Sequence, residues 1–350
     1  MTDKKKKSSL GIVALILIII IIVTGVLILP KIYRKYIKAN TNVTTKTYLY
    51  IPSSASYQQV LDSLRLHKIL IEEESFLSLA KERDFSTRFK SGKYPIVKGM
   101  NNRQLLNMLI AGNQEAVSIS FRNIRLKENF AAVAAKKLEF DSTTFIQLLD
   151  STDFISTYGF NKDNIYTMFV PNSYEFYWNT TASDFFLRMN NEYLKFWNAE
   201  RLAKAKLLNL TPQEVTILAS IVDSEALMDK EMPTIAGLYL NRLNQGIKLE
   251  ADPTVIFANN DFSIRRVLNR HLRKESPYNT YLNKGLPPGP IMMPSIKAID
   301  AVLNHETHTY IYMCAKEDFS GYHNFASTLS EHLKNAKKFQ AALNERNIKK

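Results

Sequence analysis

Between Leu10 and Leu29 the chain carries no charged side chain and consists mainly of Ile, Leu and Val. A helix needs ~20 such residues to cross a bilayer, whereas a secretory signal has a shorter apolar core and a small-residue cleavage site. Here Pro30 and the basic residues Lys31, Arg34, Lys35 and Lys38 follow instead. The pattern predicts a transmembrane helix over 10–29, a short tail over 1–9, and an exposed Asn- and Thr-rich linker over 30–46.

Beyond the linker the apolar positions take up shorter periods. Tyr48-Leu49-Tyr50-Ile51 reads as a strand, and Val60, Leu61, Leu64 and Leu66 as one face of a helix. A second helix carries Phe76, Leu77 and Leu79. Gly92 to Ile96 is a strand, and Asn102 to Ala111 is a helix that Gly112 closes. Val117 to Phe121 continues as a strand, with helices at Phe130–Leu138 and Phe145–Leu149. From Asp184 to Ala203 a single long amphipathic helix is expected, burying Phe185, Phe186, Met189, Tyr193, Phe196 and Trp197. Strands and helices in this order place the chain in the α+β class.

The most sharply bounded helix begins at Thr211. Thr211 can accept a hydrogen bond from a first-turn N–H, Pro212 suits the first helical position, and Glu214 completes a capping box. Val215, Leu218, Ala219, Val222 and Ala226 make an apolar stripe, with Glu225 on its edge. A carboxyl beside a core keeps its proton towards neutral pH and can serve as a general acid. The ordinary role of a lone helical Glu is pairing with Lys or Arg at a rim. Asp223 points about 160° away, towards the polar side.

Further chemistry-bearing groups lie on both sides of that helix. Tyr166 to Trp178 is dense in aromatics, most of which suit a core, with Tyr174 and Glu175 the residues best suited to a groove. Asp252-Pro253-Thr254 reads as a rigid turn in which Asp252 orients or caps. Ser276-Pro277-Tyr278-Asn279-Thr280-Tyr281, followed by Gly285-Leu286-Pro287-Pro288-Gly289, is a pre-shaped loop. Its Tyr278, Asn279 and Tyr281 offer a flat face, an amide and hydroxyls suited to a sugar. His305 and His308 have metal-ligand spacing but lack a third ligand, so neither metal nor cofactor is expected.

At 350 residues and 45% hydrophobic, the chain is long enough for about two domains with their own cores. A formal net charge of +13 favours acidic partners, among them anionic lipid and polyanionic wall polymer. Without an arginine-rich tract or a nucleic-acid motif, nucleic acid ranks last. Cys314 is the only cysteine, so no internal disulfide forms. Lys4 to Lys7 are matched by the basic residues on the other flank of the apolar run, and charge does not fix its orientation. A short tail ahead of a large domain fits a cytoplasmic N-terminus.

Five motifs in sequence carry a family resemblance: Ala219 to Ala226, Gly237 to Leu243, Leu249 to Val255, Ser276 to Tyr281 and Gly285 to Ile291. Together with His323-Asn324-Phe325-Ala326-Ser327-Thr328 they resemble the endolytic murein transglycosylase (MltG, YceG-like) family. The resemblance implies a LysM-like module with connecting region over 47–150 and a larger α+β catalytic domain over 151–346. It implies an extracytoplasmic enzyme, anchored once in the bacterial inner membrane, that cuts peptidoglycan between N-acetylmuramic acid and N-acetylglucosamine and leaves a 1,6-anhydro end. Glu225 would act first as acid and then as base, and no second carboxylate would be needed. Tyr174, Glu175, Asp252, Thr254, Ser276, Tyr278, Asn279, Tyr281, His323 and Asn324 would hold the glycan, and peptidoglycan synthases are candidate partners. Asp223 stands where the family commonly has Glu, and Ser54-Ala55-Ser56 replaces its Gly-containing turn. A non-catalytic envelope scaffold that binds glycan or synthases is the alternative.

Overall fold

A computed structural model describes residues 2–346, with side chains from Ile12 onward. The chain divides into two units, Met1–Val117 with Glu175–Asn179, and Ser118–Tyr174 with Thr180–Lys350.

The first unit opens with α1 (Thr2–Tyr36), within which Ile12–Tyr36 is long and apolar enough to cross a membrane. The side chains of Lys4 to Lys7 lie outside the described residues. Next come β1 (Thr47–Ile51), α2 (Tyr57–Leu66), α3 (Glu73–Glu82), the single turn α4 (Phe85–Arg88), β2 (Gly92–Ile96) and α5 (Asn102–Ala111). This is the expected order with one short helix added. β1 and β2 pair antiparallel with Leu49 opposite Tyr94, and Leu49, Ile51, Phe76, Phe85, Tyr94 and Leu106 form the core. Gly112 closes α5 in the left-handed conformation, φ 79°, which a residue without Cβ adopts without strain.

The expected linker over 30–46 needs correction. Helix α1 continues to Tyr36, and Lys35 and Tyr36 both bond Glu82. Asn40 is buried: its amide donates to Glu72 O at 2.9 Å and to Asn102 Oδ1 at 2.6 Å, while its own Oδ1 accepts from Glu72 N. These bonds convert a polar, linker-like composition into a fixed joint, because a buried amide must be satisfied by specific partners.

The remaining elements are β3 (Val117–Ser120), α6 (Lys127–Ala135), α7 (Ser142–Asp150), α8 (Thr152–Ser156), β4 (Ser173–Phe176), α9 (Ala182–Phe196) and α10 (Ala199–Leu207). They are followed by α11 (Pro212–Glu225), α12 (Met232–Asn244), α13 (Asp252–Asn259), α14 (Asn269–Leu272), α15 (Ile296–Leu303), β5 (Tyr312–Ala315), β6 (His323–Ala326) and α16 (Leu329–Glu345). Phe130 lies among Phe121, Phe145 and Phe169 with ring centroids 4.9, 5.3 and 4.6 Å away. Phe186 of α9 packs on the same group. The single helix expected from Asp184 to Ala203 is two: Asn198 caps a new helix by accepting from Arg201 N, so the axis breaks after Trp197.

Helix α11 is the centre of the second unit, flanked by α10, α12, α13 and α15. Thr211 and Glu214 form the expected capping box, with Pro212 in the first turn. Burial exceeds the expected stripe, for every residue from Val215 to Val222 is buried. The polar members are accommodated because Thr216 Oγ1 donates to Pro212 O at 2.8 Å and Ser220 Oγ to Ile217 O at 2.7 Å. Gly237 of α12 lies against the Glu306 carbonyl, and a Cβ there would overlap it.

Candidate active site

Glu225 is the last residue of α11, which stops as Ala226 takes up extended backbone. From this end the side chain enters a pocket of about 280 Å³ shared with Tyr239, Arg242, Glu250, Asp252, Tyr281, Tyr312, Cys314, His323 and His332. Among the described residues three cavities are larger: two, of about 530 and 710 Å³, belong to the first unit, and one of about 410 Å³ lies beside Asp223, Asp229 and Ser295; Glu225 lines none of them.

Buried Tyr239 donates its hydroxyl to Glu225 Oε1 at 3.1 Å. Burial first, and the negative charge of Asp252 second, push the Glu225 carboxyl from 4.5 up to about 7. The Tyr239 hydroxyl and the backbone N–H of Asp252 act in the opposite sense, favouring the carboxylate. The site therefore holds a protonated carboxyl near neutrality and has donors in place for its conjugate base. No Lys or Arg pairs with Glu225 among the described residues; the pocket's Arg242 is committed elsewhere.

Asp252 opens α13 rather than a turn, because Pro253 fits a first helical turn as well as it fits a bend. Its Oδ1 accepts from the Tyr281 hydroxyl at 2.8 Å, and both residues face the pocket. Burial and the neighbouring Asp252 raise the Tyr281 phenol above its ordinary value, so it remains a donor. Asp223 lies outside the pocket lining. Its carboxylate accepts from Ser295 N at 2.9 Å and Ser295 Oγ at 3.0 Å, tying α11 to the residue that caps α15.

Several residues expected to hold glycan have other positions. Thr254 is buried, its hydroxyl 2.7 Å from Thr280 Oγ1 and 2.6 Å from Ala251 O, where it staples α13 to the 276–283 loop. Asn279 is also buried and organises that loop, donating to Leu272 O and Lys274 O while accepting from Tyr281 N. Ser276 Oγ accepts from Tyr278 N at 3.2 Å. Tyr278 packs on Phe257 with centroids 4.8 Å apart, and burial pushes its phenol up to about 12. Tyr174 is in the core, stacked on Phe121, with its hydroxyl donating to Val170 O at 2.7 Å. Glu175 is exposed and outside the pocket lining, and Asn324 donates to Glu317 Oε2 at 2.7 Å. Asp252, Tyr281 and His323 are thus the expected partners that meet Glu225.

The pocket also uses residues that were assigned no role from the sequence. Tyr239, Arg242 and Glu250 stand inside the quoted motifs, but the burial of Tyr239 and Arg242 and the pairing of Arg242 with Glu250 depend on folding. The Arg242 guanidinium is buried and donates to Lys248 O at 2.8 Å, to Ile311 O at 2.7 Å and to Glu250, closing one wall. Glu231, buried ahead of α12, accepts from His323 N at 2.8 Å and from His323 Nδ1 at 3.0 Å. His332 stacks on Tyr312 with centroids 5.2 Å apart. His308, by contrast, is spent on structure: Nε2–H donates to Thr234 O at 2.9 Å and Nδ1 accepts from Tyr310 N. Among the described residues no group of three His, Cys, Asp or Glu could hold a metal ion.

Fold and site together define a helix-rich α+β protein whose pocket is built around one proton-retaining carboxyl. The model of the YceG-like family matches residues 49–338, and the chain belongs to that family. A Bacillus subtilis protein named endolytic murein transglycosylase is 28% identical over 324 residues, covering 86% of this chain and 87% of its own. A Streptococcus pneumoniae protein of the same name is 32% identical over 114 residues, 31% of this chain and 21% of that protein. The fold is similar to the crystal structure of a yceG-like protein from Listeria monocytogenes, with a TM-score of 0.53, 23% identity, and coverage of 83% of this chain and 99% of the other.

Proposed function

We propose that the protein is a membrane-anchored lytic transglycosylase that cuts peptidoglycan glycan strands internally, between N-acetylmuramic acid and N-acetylglucosamine. The observation that carries this reading is the Glu225 carboxyl, held at about 7 at the end of a buried helix and open to a pocket. Such a group donates a proton to the departing glycosidic oxygen at neutral pH. Its carboxylate, already met by the Tyr239 hydroxyl, then takes up the proton that the muramic acid C6 hydroxyl loses as the 1,6-anhydro ring closes. Asp252 and Tyr281 line the approach, and in this reading the Asp252 carboxylate supplies the negative charge that stabilises a cationic sugar carbon.

All residues lining the pocket fall within 151–346, the part we assign to catalysis, with 47–150 as a LysM-like and connecting region. Helix α1 would span the cytoplasmic membrane once, leaving that part on the extracytoplasmic side where peptidoglycan lies. Anhydro-muropeptide release from purified sacculi tests the reading. Glu225→Gln should abolish release while the protein stays folded and membrane-bound; retained release would sink the mechanism. Asp252 in the same pocket supports a second reading, hydrolysis by two carboxylates, which mass spectrometry separates because its products end in reducing rather than anhydro sugars.

A further inference from the structure

The pocket contains a second proton-handling arrangement that the single-acid scheme leaves unused. Glu231 is buried at 6% exposure, and both its oxygens are engaged by one residue: Oε1 by the His323 backbone N–H at 2.8 Å, Oε2 by His323 Nδ1 at 3.0 Å. With both Glu231 oxygens accepting, the proton of this ring lies on Nδ1 and Nε2 is left as the acceptor. The ring itself lines the pocket that receives Glu225. A buried carboxylate on Nδ1 stabilises the imidazolium that forms when Nε2 takes up a proton, the arrangement by which a histidine is made into a base. The bond also orients the ring: Glu231 immediately precedes α12, His323 begins β6, and 92 residues separate them.

We propose that His323 is a catalytic proton relay and Glu231 its positioning residue, an inference that rests on the transglycosylase reading above. As the glycosidic C1–O bond breaks, Glu225 protonates the leaving oxygen. The C6 oxygen then bonds to C1, and its proton passes to His323 Nε2. The imidazolium returns that proton to the Glu225 carboxylate, directly or through one water, restoring both groups with no net proton gained or lost. The charged and titratable groups that share the pocket with the ring are Glu225, Tyr239, Arg242, Glu250, Asp252, Tyr281, Tyr312, Cys314 and His332, with Glu231 bonded to Nδ1. Arg242 is paired with Glu250, and burial followed by Arg242 holds His332 below its usual value, which makes it a weaker proton acceptor than an ordinary imidazole.

The test uses the full-length protein and purified sacculi, measuring the initial rate of anhydro-end formation against sacculus concentration and pH. His323→Gln keeps a polar side chain but cannot relay a proton; the saturated rate should fall ~10²- to 10⁴-fold with half-saturation unchanged, and the acid limb of the pH profile should vanish. Glu231→Gln removes the charge that stabilises the imidazolium and should move the acid limb to lower pH. If that variant does not fold, His323→Gln decides alone. A wild-type rate in His323→Gln, a loss expressed only in half-saturation, or an acid limb that stays in place overturns the relay. Glu225→Gln, run alongside, separates this result from failure of the underlying reading, since only that variant decides whether anhydro ends depend on the proposed acid.

Discussion

The Tyr239 hydroxyl, carried on α12, meets Oε1 of Glu225 at 3.1 Å where α11 ends, so one neutral donor supports the ionised form of a carboxyl that burial disfavours. Removing the donor with Tyr239→Phe should therefore raise the Glu225 pKa further. A hydrogen bond to a charged group contributes ~1.5–3 kcal/mol, which corresponds to a shift of about 1 unit or more. The basic limb of the pH–rate profile should move upward by that amount. A limb that stays in place would show that the bond does not stabilise the carboxylate.

Asp252 acts with the opposite sign, since its charge raises the Glu225 pKa. Asp252→Asn should bring the basic limb to lower pH, so that less enzyme carries its acid proton at pH 7.5. The two variants form an internal control, because a general loosening of the pocket would not move the limb in opposite directions.

Glu225 should also lower stability above neutrality. Its folded-state pKa of about 7 exceeds the ordinary 4.5, so the native state holds the extra proton between these values and stability falls as pH rises through that window. At 1.36 kcal/mol per unit the loss is up to about 3 kcal/mol by pH 8 and near zero at pH 4. Denaturant titrations of Glu225→Gln should therefore show it more stable than wild type at pH 8 and equal at pH 4.

Thr254 and Thr280 distinguish a sugar ligand from a structural staple. Thr254→Val preserves shape but removes a buried hydroxyl shared with Thr280 and Ala251, and should cost ~1–3 kcal/mol. Thermal unfolding should shift while glycan cleavage per folded molecule stays within about twofold. A selective rise in half-saturation without loss of stability would return Thr254 to the glycan-holding role.

Gly237→Ala should destabilise by ~1–3 kcal/mol, as the new methyl overlaps the Glu306 carbonyl and α12 must shift. Circular dichroism melts of the variant would register it as a lowered Tm.

Local signals in the chain were readable where a short segment determined its own conformation. Thr211, Pro212 and Glu214 announce the start of α11, and Gly112 the end of α5, because caps are satisfied within one turn. The position of Glu225 at the boundary of an apolar helix was legible for the same reason. Thr254 and Asn279 were not, since a polar residue in a Pro- and Gly-rich loop serves a ligand or the loop itself with the same side chain. Burial decides between them, and burial depends on segments remote in sequence. Glu231 could not have been paired with His323 by any spacing rule, and Tyr174 belonged to an aromatic tract whose core and groove members share one composition.

The joint after α1 carries a mechanical consequence. Asn40, Glu72 and Asn102 lock the chain only a few residues beyond the helix, while Lys35 and Tyr36 grip Glu82 from its last turn. Inserting a single residue ahead of Lys35 leaves that grip intact but swings the apolar segment by ~100° about its axis. The first unit is therefore not a kite on a string: its folded part turns with α1, and if α1 spans a bilayer as proposed, bilayer thickness, by changing helix tilt, would set its attitude.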